Sequence, residues 1–261
     1  MKLTLSRIQS LETEMLKEVV EICERNNLNY YLAYGTALGA IRHGGPIPWD
    51  ADADIVIPYN QLDRFIKTVR AELSDNFFLD YHDINKYFTP TFPRIGLQGY
   101  STAILHIDVF ILVGLPSDKK LQIKHLQKLA LNRKRHYRKT VSSIYWEKFS
   151  LKGRMYNCFF KLVNLPYSFK KIREEFDYLC ALYPLESSDY VAVANSIMLN
   201  KATTPKKFYG KGIIREYSNI KVNLPEQYDD YLRHFYGNYM QYPLESERKA
   251  QDTYTIIKLN L

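Results

Sequence analysis

The chain has 261 residues, 46% of them hydrophobic and 25% charged, enough to bury a substantial core and ordinary for a water-soluble globular protein in one large domain or two closely joined lobes. Three cysteines (Cys23, Cys158 and Cys180) are odd in number and lack metal-ligand spacing, which excludes a disulfide scaffold and predicts buried free thiols in a reducing compartment. No stretch approaches the ~20 apolar residues of a membrane span, and acidic residues run through the first 26 positions, unlike a secretory leader; the expected location is cytoplasmic.

Ile8, Leu11, Met15, Leu16, Val19, Val20 and Cys23 recur at three- and four-residue steps and predict an amphipathic helix from about Ser6 to Asn26. The β-rich run from Asn29 leads to a turn at Gly35-Thr36, followed by a short helix over Ala37 to Arg42 that Gly44-Gly45-Pro46 breaks. Asp52 to Ile57 reads as a strand ended by Pro58, and Gln61 to Leu73 as a second amphipathic helix. Phe77 to Tyr81, Phe92 to Leu97 and Ala103 to Leu112 read as strands. Helical periodicity then covers Lys119 to Tyr137, Met155 to Leu165 and Phe169 to Leu182. Ile220 to Leu224 suits a strand and Gln227 to Phe235 a helix, with Asn238 to Lys258 mostly irregular. The expected division is a mixed α/β lobe, residues 1–115, and a largely helical lobe, residues 116–261.

The net charge of +8 is unevenly spread: residues 119–173 hold 16 Lys/Arg against one acid, Glu147. This segment contains Arg133-Lys-Arg-His-Tyr-Arg-Lys139 and is interleaved with Tyr137, Tyr145, Trp146, Phe149, Tyr156, Phe159 and Phe160. It suits an anionic partner such as a phospholipid surface, a polyphosphate or a nucleic acid. It equally suits helices with solvated basic faces and aromatic core faces.

The chemistry concentrates between Gly35 and Ile57. Asp50, Asp52 and Asp54 stand at two-residue spacing behind a Gly-rich turn. In extended backbone, residues i and i+2 share one face about 6.5–7 Å apart, close enough to converge on a hard divalent cation and to repel one another without one. Asp108 lies within the apolar run His106-Ile-Asp-Val-Phe, where a carboxylate needs a partner or a metal. A Gly-Thr turn at a helix N-terminus, an Asp-x-Asp strand and a third Asp on a later strand together resemble the nucleotidyltransferase-like superfamily. That resemblance implies a mixed sheet with flanking helices, in which the turn holds phosphate and the carboxylates hold magnesium or manganese.

GTALGAIRHGGPIPWDADADI closely resembles the signature of the LicD family. Tyr31-Leu32-Ala33, His106-Ile-Asp-Val-Phe and the tail Pro225-x-x-Tyr228-Asp229 … Tyr236-Gly-Asn-Tyr-Met240 … Arg248 extend the likeness. LicD-like proteins transfer phosphocholine from CDP-choline to sugars of teichoic acid or lipopolysaccharide, and the related fukutin-related group transfers ribitol phosphate. The resemblance implies a CDP-alcohol donor, a glycan acceptor that can be lipid-linked, and no nucleic-acid partner. By position, Asp52, Asp54 and Asp108 would be the catalytic, metal-binding carboxylates. Gly35, Thr36, Gly39, Arg42, His43, Asp50 and Arg94 would bind the donor, with Asp108 preferred to Asp50 as proton acceptor. Glu216 aligns loosely with a family acid. Tyr34, Trp49, Tyr59 and Tyr87 are candidate walls for a trimethylammonium group. Three positions depart from the pattern: Ala51 replaces the second Asp of Trp-Asp-Asp-Asp, Val113 an Asp after the third-Asp strand, and Asn238 the Asp of Tyr-Gly-Asp-Tyr-Met. Competing readings are another CDP-alcohol (ribitol or glycerol), a nucleotidyltransferase acting on nucleic acid, and a non-catalytic binding protein. The basic segment would hold such an enzyme against an anionic inner-membrane face.

Overall fold

The computed structural model describes residues 1–82, 90–144, 150–163, 167–194, 196, 201–248, 250–251 and 253–258. Helix α1 (Leu5–Arg25) starts where the Thr4 side chain accepts a hydrogen bond from the Arg7 N–H at 3.3 Å, satisfying one of the donors that a helix start leaves open. Its apolar stripe, Ile8, Leu11, Met15, Leu16, Val19, Val20, Ile22 and Cys23, is buried as the periodicity requires.

The central layer is a seven-stranded sheet. Strand β3 (Ala53–Pro58) is flanked by the short antiparallel β2 (Tyr31–Leu32) and the parallel β6 (His106–Leu115). Parallel pairing buries both faces, so Ile55, Val56 and Ile57 pack beside Ile107, Val109 and Ile111 with at most 1% of any of them exposed. On the other side of β6, β5 (Arg94–Leu97) pairs with its first half and β7 (Tyr190–Val193) with its second half. The outer strands β4 (Phe77–Asp80) and β8 (Thr203–Pro205) extend these two. Helix α2 (Tyr34–Arg42) packs beside β3, whereas α3 (Leu62–Glu72), which follows β3 after a 3-10 turn, packs against α1 and β4. The long α4 (Lys119–Ile144), α5 (Leu151–Val163) and α6 (Phe169–Ala181) follow β6. A hairpin of β9 (Ile213–Tyr217) and β10 (Ile220–Leu224) precedes α7 (Tyr228–Tyr236). At the ends of the chain, β1 (Lys2–Thr4) pairs with β11 (Thr253–Thr255). Among the described residues, no helix is long and apolar enough to cross a membrane.

The mixed sheet with flanking helices agrees with the α+β expectation, and local differences have local causes. Helix α2 begins at Tyr34, not Ala37, so Gly35 and Thr36 form its first turn instead of preceding it. Helix α4 runs past Tyr137 because Lys139 Nζ donates to the Tyr167 carbonyl at 2.6 Å and Thr140 is buried; tertiary contacts continue the helix where the apolar period lapses. Ala103 to Leu105 form a turn, and β6 begins at His106. The β9–β10 hairpin turns on Ser218 and Asn219, both at positive φ (48° and 68°), with Tyr217 paired to Ile220. This is the backbone of a two-residue hairpin loop without its usual Asn-Gly signature, which hid β9 from a sequence reading. Cys23 and Cys180 are buried free thiols as expected, but Cys158 is exposed on α5.

Candidate active site

Strand register aligns three charged residues in a row across the sheet. Arg94 of β5 is opposite Asp108 of β6, and Asp108 is opposite Asp54 of β3. Neighbouring strands lie about 4.8 Å apart, so two carboxylates stand side by side with a guanidinium at one end of the row. Arg94 Nε donates to Asp108 Oδ1 at 2.7 Å, His106 Nε2 lies 3.1 Å from the same oxygen, and Arg94 Nη1 donates to the Thr102 carbonyl at 2.8 Å. Burial pushes the Asp108 carboxyl up, but the hydrogen bond and charge of His106 and then those of Arg94 outweigh it, leaving its pKa below the ordinary value. Asp54 goes the other way. Burial and then the charges of Asp108, Asp52 and Asp50 raise it well above the usual range, with Arg94 offsetting part of this.

Local folding fixes Asp54 firmly. Its N–H donates to Thr36 Oγ1 at 2.8 Å and its carbonyl accepts from the Ala33 N–H at 3.0 Å, which ties the strand entrance to the first turn of α2. Tyr34, at the head of that turn, has φ +43°, a costly conformation for an aromatic residue. The Tyr231 hydroxyl accepting its N–H at 3.2 Å helps to hold it. Asp50 is held through its backbone, where Gln9 Nε2 donates to the carbonyls of Asp50 (2.7 Å) and Ile47 (2.9 Å). A Cβ on Gly35 would lie 2.9 Å from Asp50 Oδ2, so the missing side chain is what lets that carboxylate close over α2. Burial, then the neighbouring Asp52 charge, raises Asp50 as well.

These residues line one cleft of about 830 Å³. Gly35, Asp50, Asp52, Asp54, Asp108 and Arg94 form one wall, and Arg133, Lys134 and Arg138 of α4 form part of its boundary together with Tyr137. An acidic wall thus shares a nucleotide-sized space with a basic one. Tyr34, Phe92, Phe110 and Tyr236 add aromatic surface; Phe110 packs against Phe92 and Tyr34 with ring centroids 4.7 and 5.5 Å apart.

Other sequence candidates sit elsewhere. Thr36 is buried and anchors the Asp54 backbone. Gly39 serves packing, since a Cβ there would meet the Gly45 carbonyl oxygen at 2.5 Å. Arg42 and His43 do not line the cleft. Arg42 donates to His43 Nε2 (3.0 Å) and to the Tyr239 carbonyl (2.9 Å), and with Arg248 it lies over the Trp49 and Tyr242 rings, pinning the C-terminal segment to the loop before β3. Of the four proposed aromatics, Tyr34 lines the cleft, Trp49 belongs to this cation–aromatic cluster, Tyr59 donates to the Asp177 carbonyl, and Tyr87 lies outside the described residues. Tyr145, Trp146 and Phe149 also lie outside them. Glu216 is exposed, whereas its neighbour Tyr217 is buried near the acids, as strand alternation dictates.

The sequence reading missed Glu12. It is 4% exposed on α1, and Oε1 has no hydrogen-bond partner among the described residues. Burial first, and then Asp52, Asp50, Asp54 and Asp108, push its carboxyl well above the ordinary value. The signal was present: Glu12 interrupts the apolar stripe, four residues after Ile8 and four before Leu16.

Among the described residues, no three or more His, Cys, Asp or Glu side chains converge in a metal-holding group. Magnesium does not require one, because it takes one or two carboxylates and fills its other positions with water and substrate phosphate oxygens. Asp52 and Asp54 offer hard oxygen donors on the cleft wall, and the like charge gathered around Asp54 is what such a cation offsets. The donor set therefore fits magnesium or manganese, with Asp108 already engaged by Arg94 and His106.

Comparison with known proteins agrees with this geometry. The family described as LicD/FKTN/FKRP, nucleotidyltransferase domain, matches residues 27–128, which span the aspartate strand, Arg94, Asp108 and the start of α4. The chain is 26% identical to the lipopolysaccharide cholinephosphotransferase LicD of Haemophilus influenzae, across 95% of this chain and 96% of that protein. It is 46% identical over 44 residues to uncharacterized proteins of Rickettsia prowazekii and Rickettsia typhi, a stretch covering 17% of this chain and 16% and 14% of theirs.

Proposed function

We propose that this protein transfers phosphocholine from CDP-choline to a sugar of a cell-surface glycan, lipopolysaccharide or teichoic acid, and releases CMP, a reading supported by the match of residues 27–128 to the LicD/FKTN/FKRP nucleotidyltransferase domain. The observation that carries the reading is the single cleft in which paired carboxylates, the α2 N-terminal turn and the cations of α4 meet. The full-length likeness to a lipopolysaccharide cholinephosphotransferase supports the choice of reaction.

In this mechanism the donor diphosphate lies between the two walls, with Arg133 and Lys134 offsetting its charge. Asp52 and Asp54 would hold a magnesium or manganese ion, which would supply charge neutralisation at phosphate oxygens. A glycan hydroxyl attacks the phosphorus that carries choline, the bond from that phosphorus to the bridging oxygen breaks, and CMP leaves. Positioning and charge neutralisation carry most of the catalysis in such transfers. Asp50 takes the hydroxyl proton, since it lines the same cleft and Asp108 is committed to Arg94 and His106. The aromatic surface of Phe92, Phe110 and Tyr236 favours a trimethylammonium head group over ribitol or glycerol, which present hydroxyls to be hydrogen-bonded.

Thermal melting with magnesium against CDP-choline, CDP-ribitol and CDP-glycerol tests the proposal. A cognate donor at about 100 times its dissociation constant adds about 2.7 kcal/mol, which is about 5–10 °C for a chain of this size. The expected result is a shift with CDP-choline that Asp54→Asn abolishes; equal melting with and without every donor refutes the reading.

A further inference from the structure

We propose that α5 is a membrane-docking helix that lies in the interface of an anionic phospholipid bilayer. Leu151, Met155 and Phe159 are spaced at i, i+4 and i+8, so they form one ridge, and they are 79, 69 and 60% exposed. Three large apolar side chains in line, each exposed by more than half, need a covering surface. Helical spacing puts Arg154 to one side of the ridge and Lys152 to the other, and both are exposed. A cation on each flank of an apolar ridge is the pattern of a helix lying flat at a lipid surface, with apolar groups among the acyl chains and cations at the phosphates.

Charge complementarity selects the occupant. Helix α5 contains no acidic residue, and the segment 119–173 around it carries 16 Lys/Arg against one acid. A second copy of this chain would bring the same cations to the same place, whereas an anionic lipid surface neutralises them. At 13 residues the helix is about 20 Å long, too short to span a bilayer and long enough to rest on one. The RKRHYRK run is not the docking element: Arg133 and Lys134 line the cleft, and Arg135 is held by Glu175 (2.9 Å) and the Tyr167 hydroxyl (3.1 Å). This inference goes beyond the proposed reaction and needs no nucleotide donor.

Cosedimentation of the full chain with phosphatidylcholine vesicles, with and without phosphatidylglycerol, tests it. Wild type is expected to sediment with the anionic vesicles and to stay in solution with the neutral ones. Leu151→Asp with Met155→Asp should lower partitioning at least about tenfold, and Lys152→Gln by about fivefold, at unchanged melting temperature. As an independent readout, Met155→Trp fluorescence should shift to the blue on adding anionic vesicles. Wild type remaining in solution with anionic vesicles overturns the proposal. So does undiminished binding by the double aspartate variant, or an oligomer that this variant dissociates. Substrate plays no part in these outcomes, so they stand or fall apart from the CDP-choline reading.

Discussion

Replacing Arg94 by Gln removes the cation from the row Arg94–Asp108–Asp54 and leaves its shape nearly intact. The pair is close (2.7 Å) and mostly buried, with side chains 19 and 15% exposed. Breaking a fully buried pair costs about 3–5 kcal/mol; partial exposure and the remaining His106 contact bring the expected loss to about 2–3 kcal/mol. For a chain of this length that lowers the melting temperature by about 5–10 °C. The sign with pH follows from Asp108. Its folded pKa is depressed, so its pairing contributes fully above the ordinary carboxylate value near 4 and is lost as pH falls through the folded value. Without Arg94, burial and the adjacent Asp54 favour the protonated form, so the variant's deficit is largest at pH 7 and shrinks on acidification towards pH 4. Thermal and urea unfolding of both proteins at pH 7, 5 and 4 measure this difference. Wild-type stability at pH 7, or a deficit that widens as pH falls, refutes the assignment of Arg94 as the partner of Asp108.

Glu12→Gln should stabilise the protein. A folded pKa raised well above its unfolded value makes the ionised form a cost that grows as pH rises past about 4.3. Melting of the variant should therefore exceed wild type at pH 8 and converge with it near pH 4. Thr36→Val keeps the side-chain shape but strands the buried Asp54 N–H, at about 1–3 kcal/mol; unfolding should register that loss, CMP release should fall with it, and Thr36→Ser should restore both. Arg133→Gln with Lys134→Gln should raise the KM for CDP-choline about tenfold or more, read in steady-state kinetics. An unaltered KM removes α4 from the donor site.

Strong local signals made much of this legible in the sequence. The α1 stripe, the Asp52–Ile57 strand and the apolar run around Asp108 follow from hydrophobic periodicity alone, and the Gly35–Ile57 run pointed to the acidic wall. What stayed hidden depends on the third dimension. Arg94 could be named, but its engagement with Asp108 is set by β5–β6 register, which no local pattern encodes. Arg42 and His43 follow the Gly-rich turn in sequence, yet α2 begins three residues early and carries them to its far end, among Trp49 and Tyr242. Arg133, Lys134 and Tyr137 were visible as a basic, aromatic run, but that one turn of α4 borders the cleft is a consequence of helix packing. Glu12 was overlooked because a stripe search weighs the apolar positions and passes over the one charged residue among them.

The most direct test of the central claim is CMP release from CDP-choline by the purified protein with magnesium and a glycan acceptor, compared with Asp54→Asn at equal folded concentration. Turnover that stops on chelation, returns with magnesium or manganese, and falls at least about a thousandfold in the variant, a barrier increase of about 4 kcal/mol, is the predicted result. Wild-type turnover by Asp54→Asn, or activity that survives exhaustive chelation, contradicts it.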